Sequence, residues 1–135
     1  MAKGARIAKE LVIRTTNRVG LLADVARLLA DMGINILAVN TWTQGDEAEI
    51  HLLTDAQLYA RDALRDAEYP VEQREVVVLE LPHRPGFLRR ITEILRRKGL
   101  DIHYLYSTAP DWSERSLIIL SCDNNGKALV LLREA

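Results

Sequence analysis

The chain reads as one unit written twice, and that duplication constrains its fold more than any other feature. Laying Asn17–Thr41 over His83–Ser107, an offset of 66, gives six identities in 25 positions. They are Arg18/Arg84, Gly20/Gly86, Leu22/Leu88, Leu29/Leu95, Gly33/Gly99 and Ile36/Ile102. Val25/Ile91, Leu28/Ile94, Ile34/Leu100, Asn35/Asp101 and Val39/Leu105 are conservative pairs. Matched glycines and matched apolar spacing make coincidence a poor account of this. Each half alone is small for independent stability, so the two copies are expected to share a sheet or a core.

Each copy opens on a β-branched run, Leu11–Thr16 or Val76–Leu81, that reads as a strand. A turn follows, Asn17-Arg-Val-Gly20 or His83-Arg-Pro-Gly86. Leu21, Leu22, Val25, Leu28, Leu29 and Met32 then fall on one face of a helix, and Phe87, Leu88, Ile91, Ile94 and Leu95 repeat that stripe. Gly33 and Gly99 stand where the helices should stop. Second strands are expected over Ile34–Thr43 and Leu100–Thr108, and third strands over Ala48–Thr54 and Arg115–Cys122. The turns between them are Gln44-Gly45-Asp46 and Ala109-Pro110-Asp111. A second helix is expected over about 55–68 in one copy and 125–133 in the other.

The order β-α-β-β-α needs one more strand to become a ferredoxin-like split unit. In the first copy that strand is Val71–Arg74, running without a turn signal into Val76. The second copy ends at Ala135 before any fourth strand, which leaves Val76–Leu81 as an apolar sheet edge in need of cover. The expected fold is therefore α+β: two ferredoxin-like βαββαβ repeats with antiparallel sheets, residues 9–74 and 75–135, the second lacking its last strand.

Composition narrows the function. At 48% hydrophobic, 27% charged and a net charge of -1, the 135-residue chain has too much apolar content for disorder. It also lacks the bulk positive charge that draws nucleic acid. No apolar run approaches the roughly 18 residues that span a bilayer. The start Met-Ala-Lys-Gly-Ala-Arg has no signal-peptide core, and a single cysteine, Cys122, fits a reducing compartment. The reading is a cytoplasmic protein with neither nucleic acid nor membrane as a partner.

Turn, amphipathic helix and Gly33-Ile-Asn-Ile36, answered in the second copy by His83-Arg-Pro-Gly-Phe-Leu88 and Gly99-Leu-Asp-Ile102, resemble the ACT domain, the amino-acid-sensing module of biosynthetic enzymes. The first copy is similar to the serine-sensing domain of phosphoglycerate dehydrogenase, and the whole pattern to stand-alone tandem ACT proteins of bacteria. The resemblance implies a regulatory protein that binds a small amino acid at a junction of two modules. The ligand is held by the turn before the first helix and by the start of a neighbour's second strand. On this chain the matching positions are Asn17, Gly20, Leu21 and Asn35 in the first copy, and His83, Gly86, Phe87 and Asp101 in the second. The chemistry suits the role: a helix N-terminus offers unpaired N–H groups to a carboxylate. Asn or Asp side chains offer acceptors to an ammonium. The expected assembly is a homodimer or a larger even-numbered assembly; the alternative function is a ligand-free subunit docking onto a biosynthetic enzyme.

Other residues carry less. Arg89, Arg90, Arg96, Arg97 and Lys98 against Glu93 read as a solvated helix face. His51, His83 and His103 show no metal-ligand spacing, and Cys122 reads as a small core residue. No nucleophile–base pair, carboxylate dyad or phosphate loop appears, so no catalytic residue, cofactor or metal is assigned.

Overall fold

A computed structural model describes residues 4–108 and 114–134. The expected turn Ala109-Pro110-Asp111 and the neighbouring Trp112 lie outside the described residues. The chain divides into two compact units, one of residues 9–74 and one of residues 75–135 together with 1–8.

The unit of residues 9–74 contains β1 (Arg6–Thr16), α1 (Leu21–Asp31), β2 (Ile36–Gln44), β3 (Glu47–Thr54), α2 (Gln57–Asp66) and the start of β4 (Val71–Pro82). β3 lies between β2 and β1, antiparallel to both, with Ile13 opposite Ile50 and Thr41 opposite Ile50 on the other side. Alternation sends Leu11, Ile13, Ile50 and Leu52 toward the helices. There they are buried with Leu21, Val25 and Leu29 of α1 and with Ala60 and Leu64 of α2, and Val71 packs against the cluster. The apolar stripe of α1 is thus the inner face of a two-layer α+β unit.

The second unit repeats the order with β4, α3 (Phe87–Arg97), β5 (Ile102–Thr108), β6 (Arg115–Cys122) and α4 (Asn125–Arg133). β6 pairs antiparallel with β4 on one side and β5 on the other. Val77, Leu79, Leu81, Ile118, Leu120 and Cys122 form its core with Ile91 and Leu95 of α3 and Ala128 and Leu132 of α4. Cys122 is buried there, and burial pushes its thiol up from the ordinary range.

The cover that Val76–Leu81 needs is supplied within the chain. Val76, Val77, Val78, Leu79 and Leu81 are at most 2% exposed, and β1 is the hydrogen-bonded neighbour of β4. The cover comes from the far end of the chain. Ala5 is part of this core, Ile7 packs against it, and Arg133 Nε and Nη2 donate to the Ala5 carbonyl at 3.2 and 3.1 Å. Residues 1–8 sit in this unit because a buried strand edge must find partners for its N–H and C=O groups.

Local bonds recur at matching positions of the two units. Asn35 N donates to Asp55 Oδ1 at 2.9 Å, and Asp101 N donates to Asp123 Oδ2 at 2.9 Å. Thr54 N donates to Gln57 Oε1 at 2.8 Å, and Cys122 N to Asn125 Oδ1 at 2.9 Å. The same side chains then reach back to the first strand of their unit, Gln57 Nε2 to Lys9 O and Asn125 Nδ2 to Glu75 O.

Candidate functional site

The turn after β1 is closed by Asn17 N donating to Asp46 O at 2.7 Å. It ends on Gly20 at φ 84°, a left-handed conformation that a side chain resists. Because Gly20 has no side chain, α1 starts without a side-chain cap. Its first bonds are Leu21 N to Arg18 O and Asp24 N to Gly20 O, at 3.2 and 3.0 Å. The Leu22 and Ala23 amides belong to the first helical turn, where no intrahelical partner exists. A cavity of about 250 Å³ opens there, lined by Asn17, Gly20, Leu21, Leu22, Ala23, Thr41 and Ile50, among others. It combines helix-end donors, an asparagine, hydroxyl-bearing strand positions and an apolar floor. Apolar lining with a few placed polar groups is how pockets orient small molecules.

Three of the four expected residues of this unit, Asn17, Gly20 and Leu21, meet at this cavity; Asn35 does not line it. Asn35 is exposed, with its backbone tied to Asp55. Thr41 and Thr43 were not among the expected residues. Their signal was alternation along the second strand, which turns them to the helix side.

In the second unit the turn closes with His83 N donating to Glu114 O at 2.6 Å, and Gly86 stands at φ 92° before an uncapped α3. The expected residues are dispersed. Gly86 borders a groove along α3, and Asp101 borders another with Thr92, Glu93, Arg96 and Gly99. His83 and Phe87 line neither. Asp101, His103 and Asp123 do converge, with one ligand atom each within 4.8 Å of the others, all three exposed. A β-bulge between Ile102 and Tyr104 turns His103 toward this corner, where Nε2 donates to Asp123 Oδ1 at 2.8 Å. The Asp101 amide and His103 together hold the Asp123 carboxyl below its ordinary range. A nitrogen and two carboxylates are donors that a divalent cation accepts. Sequence spacing gave no sign of this group, because Asp123 reaches Asp101 and His103 only across the β5–β6 hairpin.

One buried polar cluster escaped the sequence reading. On the face of β1 and β3 away from α1 and α2, His51 is 1% exposed and Glu10 0% exposed. His51 Nδ1 faces Glu10 Oε1, and Nε2 lies 2.6 Å from Glu49 Oε2. Glu49 also accepts from Arg14 Nε, and Trp42 stacks on the imidazole at 5.0 Å and 27°. A ring with a carboxylate at each nitrogen donates to both only as the imidazolium. Burial, the largest single influence, pushes His51 down. The hydrogen bonds and charges of Glu10 and Glu49 outweigh it, and the group titrates above its ordinary 6.5. Burial likewise pushes Glu49 up, but His51 and Arg14 bring it below its ordinary 4.5.

The signs fix a pH window. A raised histidine stabilises fully below 6.5 and loses that contribution as pH climbs through its folded value. A depressed carboxylate stabilises above 4.5 and loses it as pH falls through its folded value. Urea denaturation should therefore show higher stability at about pH 5.5 than at about pH 9, and replacing both buried partners, His51→Leu with Glu10→Met, should abolish that decline, since His51→Leu alone would strand the Glu10 carboxylate. A decline unchanged in the double variant would place its origin elsewhere.

The comparisons agree with this architecture. An ACT domain is found at residues 9–60 by its family model. No curated protein matches. Protein BT0572 from Bacteroides thetaiotaomicron is 28% identical with a TM-score of 0.88, over 96% of this chain and 89% of that one. The ligand-free regulatory subunit of aspartate kinase from Thermus thermophilus is 17% identical with a TM-score of 0.66, over 99% and 97% of the two chains. Its counterpart from Thermus flavus is 15% identical with a TM-score of 0.58, over 98% and 97%. With the two kinase subunits the likeness is one of fold. Among the described residues no helix is long and apolar enough to cross a membrane.

Proposed function

We propose that the chain is a regulatory protein whose two units are tandem ACT repeats and which senses a small amino acid. The observation that carries this reading is the cavity at the uncapped start of α1, inside the residues that match the ACT domain. The ligand carboxylate is seated on the Leu22 and Ala23 amides, where the helix end concentrates donors and partial positive charge. Asn17 accepts from the ammonium, and the Thr41 side of the cavity bounds the ligand side chain. Asn35, outside the cavity, is the contact offered to a neighbouring module in a homodimer. His83, Gly86, Phe87 and Asp101 form the corresponding site of the second repeat. The solved aspartate kinase regulatory subunits share the fold, which favours a biosynthetic enzyme as the downstream partner.

Calorimetric titration with the twenty amino acids tests the reading. One amino acid should bind, and Asn17→Ala should weaken it ten- to hundredfold. That is the effect of losing one hydrogen bond to a charged group, about 1.5–3 kcal/mol. The thermal midpoint should stay within a few degrees. Absence of binding at millimolar concentration would favour the ligand-free docking subunit instead.

A further inference from the structure

Along one flank, α1 and α3 carry three charged positions of opposite sign, while Arg89 and Arg96 of α3 stand over the uncharged Ala23 and Ala30 of α1. At the offset of 66, Asp24 stands over Arg90, Arg27 over Glu93 and Asp31 over Arg97, with Leu28 over Ile94 between them. Positions 24, 27, 28 and 31 form one stripe along a helix, and so do 90, 93, 94 and 97. One face reads minus, plus, minus around a leucine; the other reads plus, minus, plus around an isoleucine.

Both faces are open. Asp24, Arg27, Asp31, Arg90 and Arg97 are exposed, and Glu93 is half-buried. Arg27, Asp31, Arg89 and Arg90 have no ion-pair partner among the described residues. Asp24 holds Arg18 at 2.6 Å, and Glu93 lies 3.7 Å from Arg97. Each face also borders an open groove. That of α3 is about 450 Å³, lined by Gly86, Arg89, Arg90, Glu93, Ile94 and Arg97. That of α1 is about 350 Å³ and includes Asp24, Arg27, Leu28, Asp31 and Tyr69.

We infer that these faces are the two halves of one interface, and that the α3 face of one copy of this chain docks on the α1 face of another. Charge complementarity selects the occupant. A generic acidic partner would satisfy Arg90 and Arg97 but oppose Glu93, whereas the α1 face supplies Asp, Arg and Asp in the matching order. The alternation reads the same in either direction, so parallel and antiparallel docking both oppose unlike charges. Leu28 and Ile94 are half-buried against their own cores, and the edges they leave in the two grooves then meet between the ion pairs, as in helical pairings whose flanking charges set partner choice. An isolated exposed ion pair contributes little. A row of them around a desolvated seam sets specificity, because a wrong register places like charges in contact. Each copy carries both halves, so two copies that each dock α3 on the other's α1 close as the proposed homodimer, whereas the contact used singly is heterologous and grows by addition.

The test is a charge swap read by light scattering, with circular dichroism confirming that each variant folds. The wild-type chain should associate at micromolar concentration and lose mass as salt is raised. One variant reverses α3 (Arg90→Asp, Glu93→Arg, Arg97→Asp), and another reverses α1 (Asp24→Arg, Arg27→Glu, Asp31→Arg). Each variant alone opposes like charges. Each should elute as a single 15.3 kDa chain, its association weakened roughly a hundredfold or more. Mixing the two should restore association, and so should one chain carrying both reversals. A monomeric wild type, a single reversal that still associates, or a mixture that stays monomeric would each overturn the inference. Amino-acid titration of the same variants reads the ligand site separately, so failure of one proposal leaves the other standing.

Discussion

Glu10→Ala is expected to destabilise the chain by about 3–5 kcal/mol, visible as a large fall in the urea midpoint. Glu10 is fully buried and its carboxylate meets a buried histidine, so truncation strands the imidazolium of His51 without the carboxylate at its Nδ1. The stranded charge, rather than the lost bond, is the larger part of the effect. A paired replacement distinguishes the two. Glu10→Met combined with His51→Leu removes both charges and fills similar volume, leaving Glu49 with Arg14. It should recover most of the loss, since apolar substitutes for a buried ion pair are often neutral. If the double variant were as unstable as the single one, the cluster would matter for packing and not for charge.

Deleting residues 1–8 is expected to cost a further several kcal/mol, confined to the unit of residues 75–135. The deletion uncovers β4, removes Ala5 from the core and Ile7 from its margin, and leaves Arg133 without its carbonyl partner. Burial of an aliphatic side chain contributes about 1.5–3 kcal/mol and each backbone bond about 0.5–1.5 kcal/mol. The sum is on the order of 3–5 kcal/mol. Hydrogen exchange should show lost protection along Val77–Leu81 and α4, while Leu11, Ile13 and α1 stay protected. A bare apolar strand also invites association, so the truncated chain should aggregate on warming. Uniform loss of protection across both units would contradict this assignment of residues 1–8.

Much of this architecture was legible because its signals are local. Leu21, Val25 and Leu29 announce the buried face of α1 by spacing alone, and the absence of a turn residue between Val71 and Val76 announces one long strand. The Gly20 turn locates the start of α1, and with it three of the four expected residues of the first unit. What stayed hidden depends on pairings across sequence. Residues 5–8, Ala-Arg-Ile-Ala, carry no β-branched run, and only a strand 70 or so residues later gives them a place. Glu10 and His51 are 41 positions apart and each alternates with core residues. Taken singly they look like the wet side of a half-buried strand. The mirrored charges of α1 and α3 were on view in the repeat alignment, but identities and conservative pairs draw attention to what two copies share. The reversal lies in what they do not.

The bonds from Arg133 to Ala5 join residues 128 positions apart, and they give the chain a timetable. During synthesis, residues 5–8 leave the ribosome well before β4, α3 and α4, the elements that make their place in a core. The unit of residues 9–74 has every one of its strands once Val71–Arg74 has emerged, and it can fold on the nascent chain. The other unit cannot finish until α4 has been made, and the search that closes it runs from Ala5 to Arg133. A ribosome that stalls after α2 therefore releases one folded unit with an unpaired N-terminal overhang. A ribosome that stalls inside β6 releases a unit that lacks α4, and with it the Arg133 guanidinium that fastens the first residues of the chain.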